Sequence, residues 1–148
     1  MLKFPLAVAS ALLLSAGVAA AAEPSTSSTT TYHDETVDGV RIFYREAGPR
    51  RAPAVVLLHG FPSSSRQYNA LIPLLADRYH IVAPDYPGFG NSDSPPPSQY
   101  SYTFDHLAMT ISSLLDQLGV NRYTLFMQDY GARSDSALHL RIPTTCEP

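Results

Sequence analysis

A chain of 148 residues is long enough for one domain of ordinary size. Its net charge of −3 and charged fraction of 16% come with no basic stripe of the kind a nucleic-acid surface requires. The single cysteine, Cys146, excludes an internal disulfide and lacks the spaced partners of a zinc site, and no two histidines share the helix-turn spacing of a metal hydrolase.

The first 22 residues, MLKFPLAVASALLLSAGVAAAA, have a positive start at Lys3, a short apolar core and an Ala-rich end. That pattern predicts a secretory signal peptide cleaved near Ala22, and so a periplasmic or secreted protein with no membrane association after cleavage. The apolar run is too short and too rich in small residues for a membrane anchor. Residues 23–34, opening with EPSTSSTTTY, are polar and lack a period that could pack, which predicts a linker. The globular part is then expected from residue 35.

ETVDGVRIFYREAG alternates about Asp38-Gly39, a pair suited to a hairpin turn. Val40, Ile42 and Tyr44 are expected on one face, Arg41 and Arg45 on the other. APAVVLLHG is a continuous apolar run closed by Gly60, as in a strand buried on both faces. Tyr68, Leu71, Ile72 and Leu75 follow at helical spacing, with Pro73 dividing the segment into two short pieces. YHIVAPDYPGFGNSD is a second buried strand entering a Pro/Gly-rich loop, and SPPPSQY is a stiff connection. Phe104, Leu107, Ala108, Ile111, Leu114, Leu115 and Leu118 form one helical stripe, with Gly119 placed to cap its end. RYTLFMQD is a third buried strand. Strands alternating with helices predict an α/β fold with parallel strands and right-handed crossovers.

In open α/β sheets, ligands bind beyond the carboxyl ends of the strands. Three motifs fall there: His59-Gly60-Phe61-Pro62, Asp85 with Gly88 and Gly90, and Gln128-Asp129-Tyr130-Gly131. Each alone has a bland meaning. A His-Gly pair after a strand is usually a turn. The glycine loop after Asp85 is not followed by a helix start that would cradle an anion, and Asp85 is expected to tie loop amides together. Asp129 alone could be a helix N-cap.

Taken in order and spacing, the three motifs are more specific. HGFP, APDYPGFGNSD and MQDYG resemble the α/β-hydrolase superfamily, in the branch that holds epoxide hydrolases and haloalkane dehalogenases. The resemblance covers about residues 35–132. It implies a nucleophile, Asp129, on a sharp elbow between small residues; Gly131 suits that elbow, whereas Met127 is bulkier than usual. A carboxylate there would displace at a saturated carbon, forming an ester of Asp129 that water then hydrolyses. The backbone N–H groups of Phe61 and Tyr130 would hold the oxyanion. His59 would bond beneath the loop and would not serve as base. No cofactor is implied, and the expected partner is a small apolar organic molecule, an epoxide or a halide.

Dehalogenases of this branch tend to carry a halide-binding donor such as Asn at position 61 and Trp at position 130. Phe61 and Tyr130 supply neither, which favours the epoxide hydrolase side. The haloalkane dehalogenase reading and a noncatalytic binding fragment are the alternatives. No Gly-x-Ser-x-Gly occurs, so a serine esterase is disfavoured.

The resemblance also implies a downstream base, an acid to orient it, and a cap. After Asp129 the chain has His139, with Asp135 and Glu147 as its carboxylates. His139 lies at the far end of what would be the helix leaving the elbow, remote from the base position. Shifted by one base, permissive codons for residues 133 onward recover Pro, Val, Gly, Phe and Arg, as relatives continue. Residues 133–148 are therefore expected to be an out-of-frame tail. The expected object is the N-terminal half of an α/β-hydrolase fold, a β-hairpin plus parallel strands with crossover helices, with C-terminal half and cap missing. It would be inactive for want of base and acid, and Leu125, Met127 and the helix at 104–118 would lack part of their cover.

Overall fold

A computed structural model describes residues 29–129. Strand β1 (Thr31–Val37) turns through Asp38 and Gly39 into β2 (Val40–Ala47). Both turn residues have positive φ, 49° and 80°, the backbone that matches the twist of a two-residue hairpin. β3 (Ala54–Leu58) leads through a 3₁₀ turn, Ser65–Tyr68, into the short helix α1 (Ile72–Leu75), then β4 (His80–Pro84). Helix α2 (Phe104–Gln117) and β5 (Tyr123–Met127) follow.

The five strands lie in the order β1-β2-β4-β3-β5. The hairpin joins antiparallel through β2 and β4, while β3 is parallel to both β4 and β5. Chain order thus reverses direction at β3, and the crossovers place α1 and α2 on opposite faces. The period of two along each strand divides the core accordingly. Val56, Leu58 and Val82 face α2 with Ile42, Ile111 and Leu114. Leu57, Ile81 and Ala83 face the other way, against Tyr68, Ile72 and Ala76.

Helix α2 owes its limits to side chains as well as pattern. Thr103 Oγ1 accepts the His106 amide at 3.2 Å, capping the start. At the end Gly119, at φ 72°, donates to Asp116, and Val120 donates to Leu115 at 2.8 Å. That is the glycine-terminated double closure expected of a Schellman end. Pro73 stands in the first turn of α1, where its missing N–H costs nothing, so the break in the helical segment falls ahead of it.

Two expectations change, for the linker and for β5. β1 begins at Thr31, inside the stretch expected to be linker, because residues 31–34 pair with 43–46 of β2. Arg45 shares the face opposite Ile42, as expected, and is buried there: its Nε donates to Ser65 Oγ at 2.9 Å, and its guanidinium lies 5.0 Å from the Tyr32 ring centre. The middle of the α2 stripe is covered, with Ile111 and Leu114 fully buried over the hairpin strands, while Phe104 and Leu118 at its two ends are half-buried. Leu125 and Met127 are only half-buried against the same cluster, lacking part of their cover as expected; β5, expected as a buried strand, is therefore not one, and Phe126 on its other face stands half exposed. Residues 1–28 and 130–148 lie outside the described residues, and with them the signal-peptide reading on 1–22, the first half of 23–34, Tyr130 and the tail 133–148.

Candidate functional site

The parallel register of β3 and β5 builds the site. Leu58 pairs with Met127, and the Gln128 amide continues the ladder onto the Leu58 carbonyl at 3.3 Å. The next residues of each strand, His59-Gly60-Phe61 and Asp129, therefore come side by side, although 68 positions separate Phe61 from Asp129. The Phe61 N–H donates to Asp129 Oδ2 at 3.1 Å. Of the two amides expected at the carboxylate, this one is in place; Tyr130 lies outside the described residues.

Asp129 has φ 52°, in the left-handed region. A non-glycine residue there costs about 1–2 kcal/mol, and such strain gathers at functional sites. The Asp129 side chain stands exposed beyond the end of β5. Gly60 makes the approach possible. A Cβ on Gly60 would stand 2.8 Å from that of Asp129 and 3.1 Å from the Gln128 carbonyl oxygen. Met127, too large for the usual elbow, turns its side chain into the core beside α2.

Beneath the loop, His59 is buried and holds two backbone groups. Its Nε2 accepts the Tyr86 N–H at 3.1 Å, which makes Nδ1 the protonated nitrogen, donating to the Gly60 carbonyl at 2.9 Å. Burial lowers its pKa, outweighing the Gly60 bond and the nearby Asp85. His59 is thus a neutral strut below the loop that carries Phe61. Its ring also meets Tyr86 and Phe89 edge-on, and Phe89 in turn meets the exposed Phe61 ring at 6.0 Å.

Asp85 ties amides together as expected. Fully buried, it accepts from Ser65 N–H at 2.6 Å and from Asn91 N–H at 2.9 Å. Ser92 Oγ closes the same loop by donating to the Asp85 carbonyl and accepting the Phe43 amide. The β4 loop is thereby fastened to the 3₁₀ turn and to β2. Sequence reasoning missed one contact: Gln67 Nε2 donates to Gln128 Oε1 at 3.3 Å, bridging the 3₁₀ turn to the residue before Asp129. Two glutamines 61 positions apart carry no local signal of such a meeting.

The other described histidines are engaged elsewhere. His33 bonds Thr31, His80 bonds Glu46, and His106 bonds the Ser101 carbonyl. His139 and Asp135 lie outside the described residues. No group of three His, Cys, Asp or Glu side chains that could hold a metal occurs among the described residues.

A family model described as alpha/beta hydrolase fold matches residues 53–134. A haloalkane dehalogenase from Psychrobacter cryohalolentis is 45% identical over 100 residues, 66% of this chain and 33% of that protein. Epoxide hydrolase A of Mycobacterium tuberculosis is 40% identical over 96 residues, 64% of this chain and 30% of that protein. Among solved structures, the haloalkane dehalogenase DbeA from Bradyrhizobium elkani superposes with a TM-score of 0.70 at 36% identity, covering 76% of this chain and 38% of that one. The chain thus spans about a third of the length of these relatives. With the family match covering more than half of its residues, it belongs to the α/β-hydrolase fold family, as a partial form of that fold.

Proposed function

We propose that this chain carries the nucleophile half of an epoxide hydrolase-like enzyme, with Asp129 attacking a saturated carbon. The supporting observation is the pairing of the Phe61 amide with Asp129 Oδ2 across an elbow strained at φ 52°. In the proposed step Oδ1 attacks an epoxide carbon, the C–O bond opens, and the alkoxide takes a proton from water. Oδ2 becomes the carbonyl oxygen of the new ester. It then already faces the amide that would stabilise an oxyanion when water attacks the carboxyl carbon. The Tyr130 amide is proposed as the second donor.

That later attack needs a general base. All four described histidines are bonded to other groups. None of these four is proposed as that base, and the ester is proposed to persist as far as the described residues decide its fate. Export is proposed too, on residues 1–22; mass measurement of protein recovered from the periplasm or medium would show the mature start, and an uncleaved chain held in the cytoplasm would refute it.

A second reading, haloalkane dehalogenase-like, draws on the 45% identical dehalogenase. Against it, position 61 offers only a backbone amide and no side-chain N–H for a departing halide. Intact mass after exposure to a terminal epoxide and, separately, a 1-bromoalkane discriminates the two. Ring opening adds the whole epoxide mass, whereas displacement adds the alkyl group less one hydrogen. Adduct from the epoxide at the faster rate supports the first reading, and adduct from the bromoalkane alone overturns it.

A further inference from the structure

A cavity of about 480 Å³ opens at the end of the sheet opposite Asp129. Its wall is built where strands begin: Ala54 starts β3, His80 starts β4, and Asn121 and Arg122 precede β5. Asp129 follows the far end of β5, so five residues of strand intervene, about 17 Å at the usual rise. The two places share no residue.

The cavity is cationic. Arg50, Arg51 and Arg122 line it, and none of its lining residues is acidic. Glu46 stands just behind and is already committed, accepting from Arg50 at 2.7 Å and from His80 Nε2 at 2.7 Å. One of the three positive charges is thereby offset, and two are left. Arg51 and Arg122 are both exposed. Asn121 adds a side-chain amide, and Pro53, Leu118 and Val120 contribute apolar wall.

We propose that this cavity binds a phosphate monoester. Guanidinium groups favour phosphate because their planar forks match its oxygens in pairs. A monoester carries close to two negative charges at neutral pH, which meets the surplus of the arginines. The apolar wall receives the organic part, and the volume lies within the range of small-molecule sites. A ligand here bridges the β2–β3 loop at Arg51 to the α2–β5 loop at Arg122, two segments 71 positions apart. Its occupation is independent of Asp129.

The test is calorimetric titration of the full chain with phenyl phosphate near neutral pH, beside inorganic phosphate and benzoate at matched ionic strength. R51Q and R122Q are made at exposed positions, and circular dichroism checks their folding. The expected result is one saturable site for phenyl phosphate, tighter than for inorganic phosphate or benzoate, weakened by about tenfold or more in each variant and unchanged in D129N. Absence of saturable binding overturns the proposal. So does an affinity that R51Q and R122Q leave unaltered, or a preference for benzoate. None of these outcomes bears on the role of Asp129, which is read by covalent mass.

Discussion

The amide of Phe61 and the carboxylate of Asp129 meet at 3.1 Å, and neither residue reaches that position by its local sequence. The parallel pairing of β3 with β5 brings them together, and Gly60 provides the clearance. The left-handed backbone at Asp129, at φ 52°, carries a cost of about 1–2 kcal/mol that a glycine there would not.

Replacing Asp129 with Gly relieves that strain. D129G is expected to raise the unfolding free energy by about 1 kcal/mol, as measured by urea denaturation, while ending covalent adduct formation. Loss of stability on the same change would mean that the Phe61–Asp129 bond outweighs the strain.

Gly60→Ala tests the clearance. Its Cβ would fall within 2.8 Å of the Asp129 Cβ and 3.1 Å of a backbone oxygen, so β3 and β5 must separate at their ends. A loss of about 1–3 kcal/mol is expected, with slower alkylation of Asp129. Denaturation and the time course of intact mass read the two effects separately.

Asp85→Ala strands two loop amides, those of Ser65 and Asn91. The expected cost is about 2–4 kcal/mol, since each amide loses a charged acceptor and Ser65 is fully buried. Asp85→Asn retains one acceptor oxygen and is expected to fall between wild type and D85A in its urea midpoint.

Acid should expose the Glu46 cluster. Burial alone would raise the Glu46 pKa, but its bonds to His80 and Arg50 prevail and hold it below the ordinary value of 4.5. The unfolded chain therefore takes up the proton first as pH falls. This contribution is present above pH 4.5 and is lost as pH drops through the folded value. Stability measured across that window should decline more steeply in wild type than in E46Q.

His59 adds dependence at a higher pH. Burial holds its folded pKa below 6.5, so below that pH the unfolded chain binds a proton that the folded chain refuses. Stability should begin to fall as pH drops below 6.5. Replacement of His59 by Gln should remove that limb of the profile, and an unchanged limb would assign it elsewhere.

Local features were legible in the sequence because few neighbours decide them. Asp38-Gly39 makes the hairpin turn, and Gly119 ends α2, through backbone geometry that those residues favour on their own. The strands were legible as apolar runs, but their spatial order was not, since it depends on which face each helix covers. Thr31 gave no strand signal inside a Ser/Thr run, because its place in β1 comes from pairing with Glu46. The alternation placed Arg45 on a face but said nothing of its burial or of Glu46's. They are buried because Ser65 and His80 arrive from elsewhere in the chain to receive them. The meeting of Phe61 with Asp129 was expected from family resemblance, and no spacing in this sequence shows it alone.

The proposed ester between Asp129 and substrate is open to direct observation. The direct measurement is tandem mass spectrometry of the peptide containing Asp129 after incubation of the full chain with a terminal epoxide, with D129N treated in parallel. An adduct of the epoxide's mass on Asp129 is expected in wild type and none in D129N. An unmodified Asp129, or equal labelling of both proteins at another carboxylate, would contradict it.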